Sequence, residues 1–196
     1  MVMDQYAARL CKQLKTAIKT LSRARIKNNV DQINQTIERY SDNFPGIIQQ
    51  DYISSKEQAR RWAAAEYQTN SFPLDKNAYK TLKGDIVRSK AELWIADYLF
   101  THEFYYRYEP KLSLKGGECY YPDFALMNPK NADVVYIEYF GMMDDEHYRN
   151  RTFEKINKYA ENGYCLGHNL LAFFESTNIP FNPTTISKTL DNIFLK

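Results

Sequence analysis

The chain has 196 residues, of which 44% are hydrophobic, and a net charge of +2. This is enough for one domain with a real core and an appended element. Three scattered cysteines without a CxxC pair argue against a disulfide framework and against a zinc site. The polar N-terminus and the lack of an apolar run of about 20 residues argue against a secretory signal and a membrane span. We therefore expect a soluble, cytoplasmic protein.

The charge is distributed unevenly along the chain. Residues 1–90 carry 16 Lys and Arg against 9 Asp and Glu, whereas residues 91–196 carry 10 against 15. A basic arm beside an acidic body suits a nuclease, because the arm attracts phosphates and the body gathers acids around a cation. The alternative is a solvated helical surface that is basic for no functional reason.

The N-terminal part has the spacing of amphipathic helices. Apolar residues recur with helical periodicity in residues 4–22 and again in 28–40, and Ser54-Ser55 can cap a third helix that runs to about residue 68. We interpret residues 1–80 as a basic helical arm, with N-terminal helices that could form a homodimer. A second domain then covers residues 84–196.

The second domain alternates between helical and strand patterns. The predicted helices are 86–102, 147–161 and 184–195, and the predicted strands are 104–114, 119–127, 134–141 and 169–176. Their order is α-β-β-β-α-β-α. This order predicts an α/β fold around a small mixed sheet.

Three acids stand in apolar surroundings in this domain. Glu92 lies in a helix that is apolar nearly all round, Asp123 follows Pro122, and Glu138 lies in the middle of a strand of strong β-formers. Burying an unpaired carboxylate costs several kcal/mol. If the three carboxylates converge, a metal ion is the usual partner.

Each acid also has an ordinary structural explanation. Asp123 could cap a turn, and Glu92 could pair with Arg88 four residues earlier. Glu138 could form a buried pair with Arg88 or Lys90. The later run Asp144-Asp145-Glu146-His147 also contains metal-binding residue types, but consecutive side chains rarely point to one centre. We therefore expect Asp144 or Asp145 to cap the helix that follows.

Five short motifs occur in order along this domain. They are VRSKAE at 87–92, YEP at 108–110, PDF at 122–124, IEYFGMMDD at 137–145 and KINKY at 155–159. As an ordered set on these elements they resemble the PD-(D/E)XK nuclease superfamily, closest to a bacterial and phage group. The resemblance covers about residues 84–176 and implies a restriction-endonuclease-like αβββαβ core with a central mixed sheet, preceded by an N-terminal helical region.

The resemblance implies a metal site. Asp123 and Glu138 would bind Mg²⁺, with Mn²⁺ as a substitute, helped by the backbone carbonyl of Tyr139. Glu92 would assist through the metal or its water. The superfamily places a lysine two residues after the strand acid, where this chain has Phe140. Lys155, in the following helix, is the expected replacement.

The implied activity is that of a Mg²⁺-dependent DNA endonuclease that hydrolyses phosphodiester bonds. Lys155 would steady the phosphate and the attacking water, and Arg88, Lys90 and Lys158 would contact DNA. Lys158 lies three residues after Lys155 and could share its helix face. The alternative is a non-catalytic nucleic-acid or protein-binding module that retains the nuclease fold, which Phe140 favours.

Overall fold

A computed structural model describes residues 55–71 and 78–194, together with six residues of a helical segment between positions 12 and 19. The chain divides into two compact units, residues 1–54 and 55–196. The predicted helix at 28–40 and most of the one at 4–22 lie outside the described residues, as does any dimer contact made by them. The end of the arm was predicted at about residue 80.

The second unit contains four helices and eight strands in its described part. The helices are α1 (Ser55–Ala64), α2 (Lys90–Thr101), α3 (Glu146–Glu161) and α4 (Pro183–Phe194). The strands are β1 (Tyr79–Lys80), β2 (Ile86–Val87), β3 (Tyr106–Tyr108), β4 (Leu112–Ser113), β5 (Cys119–Tyr120), β6 (Phe124–Met127), β7 (Val134–Phe140) and β8 (Leu170–Phe174).

The main sheet has four strands in the order β3-β6-β7-β8. Strands β3, β6 and β7 pair antiparallel, and β8 runs parallel to β7 after the crossover through α3. A parallel neighbour requires such a crossover, because a tight turn can only reverse the chain. The predicted α/β fold with a mixed central sheet is therefore confirmed.

Side chains cover both faces of this sheet. On one face, Ile95 of α2 and Leu190 of α4 pack with Phe124 and Ile137 in the main core, and all four are fully buried. On the other face, Tyr159 of α3 packs with Leu170, with Leu112 of β4 and with Leu114, which directly follows β4. Each fully buried apolar side chain of this size contributes about 1.5–3 kcal/mol. Strand β7 thus runs between two layers.

The strand predicted over 104–114 is two strands. It breaks after Tyr108 because Glu109 has a left-handed backbone, with φ of 42°, and Pro110 follows it. Strand β3 stays in the main sheet, whereas β4 pairs with β5 in a separate hairpin. The strand predicted over 119–127 divides in the same way, because Pro122 and Asp123 separate β5 from β6.

The helix predicted over 86–102 begins later, at Lys90. Ile86 and Val87 form β2, and Ser89 is the N-cap of α2 with an extended backbone. At the next helix the capping prediction is confirmed, because Asp145 accepts a hydrogen bond from the Tyr148 amide at 2.7 Å. Asp144 instead accepts bonds from the amide and hydroxyl of Thr177, which tie the start of α3 to the loop after β8.

No helix in the described part of the chain is long and apolar enough to cross a membrane. The cytoplasmic location stays a prediction.

Candidate active site

Strands β6 and β7 bring two of the predicted acids together. The antiparallel register pairs Phe124 with Ile137, and one further step along it places Asp123 opposite Glu138. The Tyr139 amide donates a hydrogen bond of 2.6 Å to the Asp123 Oδ2 atom. In an antiparallel pair the N–H and C=O of one residue point to the same side, so the Tyr139 carbonyl points towards Asp123.

Helix α3 supplies the positive charge at this position. The Lys155 Nζ atom lies 2.7 Å from the Glu138 Oε1 atom, and the Tyr159 hydroxyl donates to the same oxygen at 2.5 Å. Lys155 and Tyr159 are four residues apart and therefore share one face of the helix. The Glu138 side chain is only 3% exposed, whereas the Lys155 side chain is 29% exposed. The lysine thus reaches the buried acid from the solvent side.

Phe140 occupies the position where the superfamily pattern has its strand lysine. Its ring is buried and stacks on Phe174, with the two centroids 5.5 Å apart. The Lys155 ammonium lies 5.8 Å from the Phe140 ring centroid. Lys155 of the neighbouring helix therefore lies over the ring of Phe140, the residue that stands at the strand position of the superfamily's lysine.

Glu92 lies at the first turn of α2 and forms reciprocal hydrogen bonds with the N-cap residue Ser89. Its backbone amide donates to the Ser89 hydroxyl at 3.1 Å, and its carboxylate accepts from that hydroxyl and from the Arg88 amide at 2.9 and 3.0 Å. The Tyr108 hydroxyl donates to the Glu92 Oε2 atom at 2.7 Å. Glu92 is thus positioned by the helix start and by strand β3.

The three carboxylates interact electrostatically. Burial raises the pKa of Asp123 well above its usual value, and the nearby Glu138 and Glu92 raise it further. Burial also raises the pKa of Glu138, although Lys155 and Tyr159 oppose that shift. Lys155 is the cation that opposes the rise in the pKa of both Asp123 and Glu138, and the pKa of each carboxyl stays raised in its presence. The site therefore favours additional positive charge.

The donor set fits a hard divalent cation. Among the described residues, no group of three or more His, Cys, Asp or Glu side chains is arranged to hold a metal ion. Mg²⁺, however, usually binds through one or two carboxylates and completes its shell with water and substrate phosphates. Asp123, Glu138 and the Tyr139 carbonyl offer oxygen atoms of this kind.

The other predicted residues have different partners. The Arg88 guanidinium binds the Glu109 carboxylate in a two-pronged ion pair, at 2.7 and 3.1 Å, so pairings of its side chain with Glu92 or Glu138 are not formed. Lys90 is exposed at the start of α2. Lys158 pairs with the exposed Glu161 at 3.4 Å instead of approaching Glu138.

Sequence reasoning missed the roles of three residues. Tyr159 and Tyr108 each donate a hydroxyl hydrogen bond to a site acid, and Glu109 holds Arg88 beside Glu92. Tyr159 had a signal, since it follows Lys155 by one helical turn. Tyr108 and Glu109 were marked only by the YEP motif, and the local pattern did not indicate their partners, which lie 16 and 21 residues away.

No family model, no curated protein and no solved structure matches this chain. The interpretation of the site therefore depends on its own geometry.

Proposed function

We propose that this protein is a Mg²⁺-dependent DNA endonuclease with a restriction-endonuclease-like core of the PD-(D/E)XK type. The observation that carries the proposal is the contact between Lys155 and Glu138 beside Asp123. Two acids on adjacent strands and a lysine at their solvent side are the groups that phosphodiester hydrolysis requires. The order of strands and helices around them agrees with the core of that superfamily.

Each residue has a chemical role in this proposal. Asp123, Glu138 and the Tyr139 carbonyl would hold Mg²⁺, which when bound stabilises charge on the phosphate and acidifies a water molecule. Tyr159 fixes the orientation of the Glu138 carboxylate through its hydroxyl. Lys155 adds a positive charge where the phosphate would lie, and Glu92 adds a negative charge that acts on Asp123.

The proposal is tested by incubating the protein with supercoiled plasmid DNA in Mg²⁺ and in EDTA. We expect nicked and linear products in Mg²⁺ alone, and no products with Asp123→Ala or Glu138→Ala. Glu154→Ala is the matched control, because Glu154 is an exposed acid on α3. Cleavage that persists in both site variants would refute the assignment of these residues.

A non-catalytic binding module is the second candidate. Lys155 already neutralises the charge of Glu138. The Glu92 carboxylate already accepts hydrogen bonds from Ser89, Arg88 and Tyr108, which is the pattern of a purely structural network. Under this alternative the wild type binds DNA in Mg²⁺ but leaves plasmid and oligonucleotides intact. The same gel and a binding titration on the same sample separate the two functions.

A further inference from the structure

A polar cleft opens beside Glu92. Its volume is about 450 Å³. Its lining includes Tyr67, Ser71, Asp85, Arg88, Tyr108 and Glu109. Two of these residues also contact Glu92 directly, through the Arg88 amide and the Tyr108 hydroxyl. The cleft and the candidate active site are therefore neighbours across a single carboxylate.

The charged side chains among the described lining residues are each part of an ion pair. Arg88 binds Glu109 at 2.7 Å, and Asp85 lies 3.3 Å from the Lys83 ammonium and accepts a hydrogen bond from Tyr106. Among the described lining residues no excess of positive charge is available to attract a phosphate. The cleft nevertheless presents both hydrogen-bond donors and hydrogen-bond acceptors. Its chemistry suits a neutral, polar heterocycle.

Tyr67 gives the cleft a fixed aromatic wall. Its hydroxyl donates to the Tyr108 carbonyl and accepts from the Tyr108 amide, both at 3.2 Å. The Arg107 guanidinium lies 4.7 Å from the Tyr67 ring centroid and 4.4 Å from that of Trp62, so the tyrosine belongs to an ordered stack. A ring held in place loses little conformational entropy when a planar ligand packs against it.

We propose that this cleft binds an unstacked nucleobase of the DNA strand whose phosphate lies at the carboxylates. This inference rests on the proposed function and narrows it, because a base can enter the cleft only from single-stranded or locally unpaired DNA. Aromatic stacking and polar contacts to base edges are the common means by which proteins hold single strands. Lys83 and Tyr106 both contact Asp85 at Oδ2, so the Oδ1 atom of this partly exposed carboxylate can accept from a base with an exocyclic amino group, such as cytosine.

The experiment compares two fluorescein-labelled single strands of equal length, oligodeoxycytidylate and an abasic chain with the same phosphates. Binding to the full-length protein is measured by fluorescence anisotropy in EDTA, so that no cleavage is needed. Ser71→Leu fills the mouth of the cleft with a neutral side chain at an exposed position. Ser113→Leu makes the same change at an exposed position in β4, away from the cleft.

We expect the wild type and Ser113→Leu to bind the cytidylate strand about 10-fold more tightly than the abasic strand, which is a typical stacking contribution. In Ser71→Leu the preference falls to less than about twofold. Equal affinities in the wild type, or a preference that survives Ser71→Leu at an unchanged melting temperature, would overturn the inference. Plasmid cleavage in Mg²⁺ together with equal affinities would refute the base cleft and leave the nuclease proposal intact.

Discussion

The Lys155 ammonium and the Glu138 carboxylate lie 2.7 Å apart, although one stands on helix α3 and the other in the middle of strand β7. Glu138 is almost completely buried, and Phe140 fills the nearest strand position that could have carried a lysine. Removing one partner from such a buried pair leaves an uncompensated charge. This relationship has consequences for both stability and catalysis.

Lys155→Met should destabilise the protein and abolish cleavage. The buried Glu138 loses its cation, and breaking a buried pair costs about 3–5 kcal/mol. Lys158→Met, three residues away, should change stability by less than about 0.5 kcal/mol, because Lys158 and Glu161 are both exposed. Urea denaturation of the two variants gives the comparison. Similar losses of unfolding free energy in both variants would mean that the ion pair with Glu138 contributes no more to stability than the exposed pair of Lys158 and Glu161.

Asp123→Asn should stabilise the protein in EDTA while it abolishes cleavage. The pKa of Asp123 is raised in the folded state, so its ionised form destabilises the fold, and stability falls as the pH rises through that pKa. The variant should melt a few degrees higher than the wild type at pH 8, since about 1 kcal/mol corresponds to roughly 2–4 °C at this chain length. The difference should shrink as the pH falls below the ordinary pKa of aspartate, about 3.9, because the side chain is then protonated in both the folded and the unfolded state.

Melting curves across this pH range test that expectation. Asp133→Asn, at an exposed position before β7, is the control and should follow the wild type. A lower melting temperature for Asp123→Asn at pH 8 would show that the carboxylate stabilises the fold through the Tyr139 amide more than Glu138 destabilises it.

Substitutions of Ser89 and Glu92 should distinguish a helix-capping role of Glu92 from a catalytic role. Ser89→Ala removes the N-cap hydroxyl of α2 and should cost about 0.5–2 kcal/mol, with little change in the cleavage rate of folded protein. In Glu92→Gln the amide oxygen can still accept from the Arg88 amide, but the negative charge beside Asp123 is lost. We expect its cleavage rate to fall at least about 10-fold, a typical contribution of one site group. If cleavage activity falls only in proportion to stability in both variants, Glu92 has a helix-capping role and no catalytic one.

The sequence predicts the central strand and its neighbours well, and the physical reason is their burial. Strand β7 has β-formers on both alternating sets, which is the pattern of a strand covered on two faces, and it was predicted to within one residue. The same pattern made Glu138 conspicuous. Lys155 was also predictable, because the motif order placed it on the next helix and the structure brings it to Glu138.

Contacts between distant segments were less accessible from the sequence. The break after Tyr108 depends on the left-handed backbone of Glu109, which local propensity does not favour in a glutamate. Glu109 then pairs with the Arg88 guanidinium, 21 residues earlier, so that Arg88 reaches Glu92 through its backbone amide and not through its side chain. Helical spacing alone had suggested the pairing with Glu92.

The central claim is tested most directly by Mn²⁺ binding, followed by the electron paramagnetic resonance signal of the unbound ion. We predict that the wild type and the exposed-acid control Glu154→Gln bind Mn²⁺, and that Asp123→Asn and Glu138→Gln each weaken binding by at least about 10-fold, the scale on which single groups at a metal site alter affinity. Equal binding in all four proteins, or no binding by the wild type, would contradict a metal site at Asp123 and Glu138.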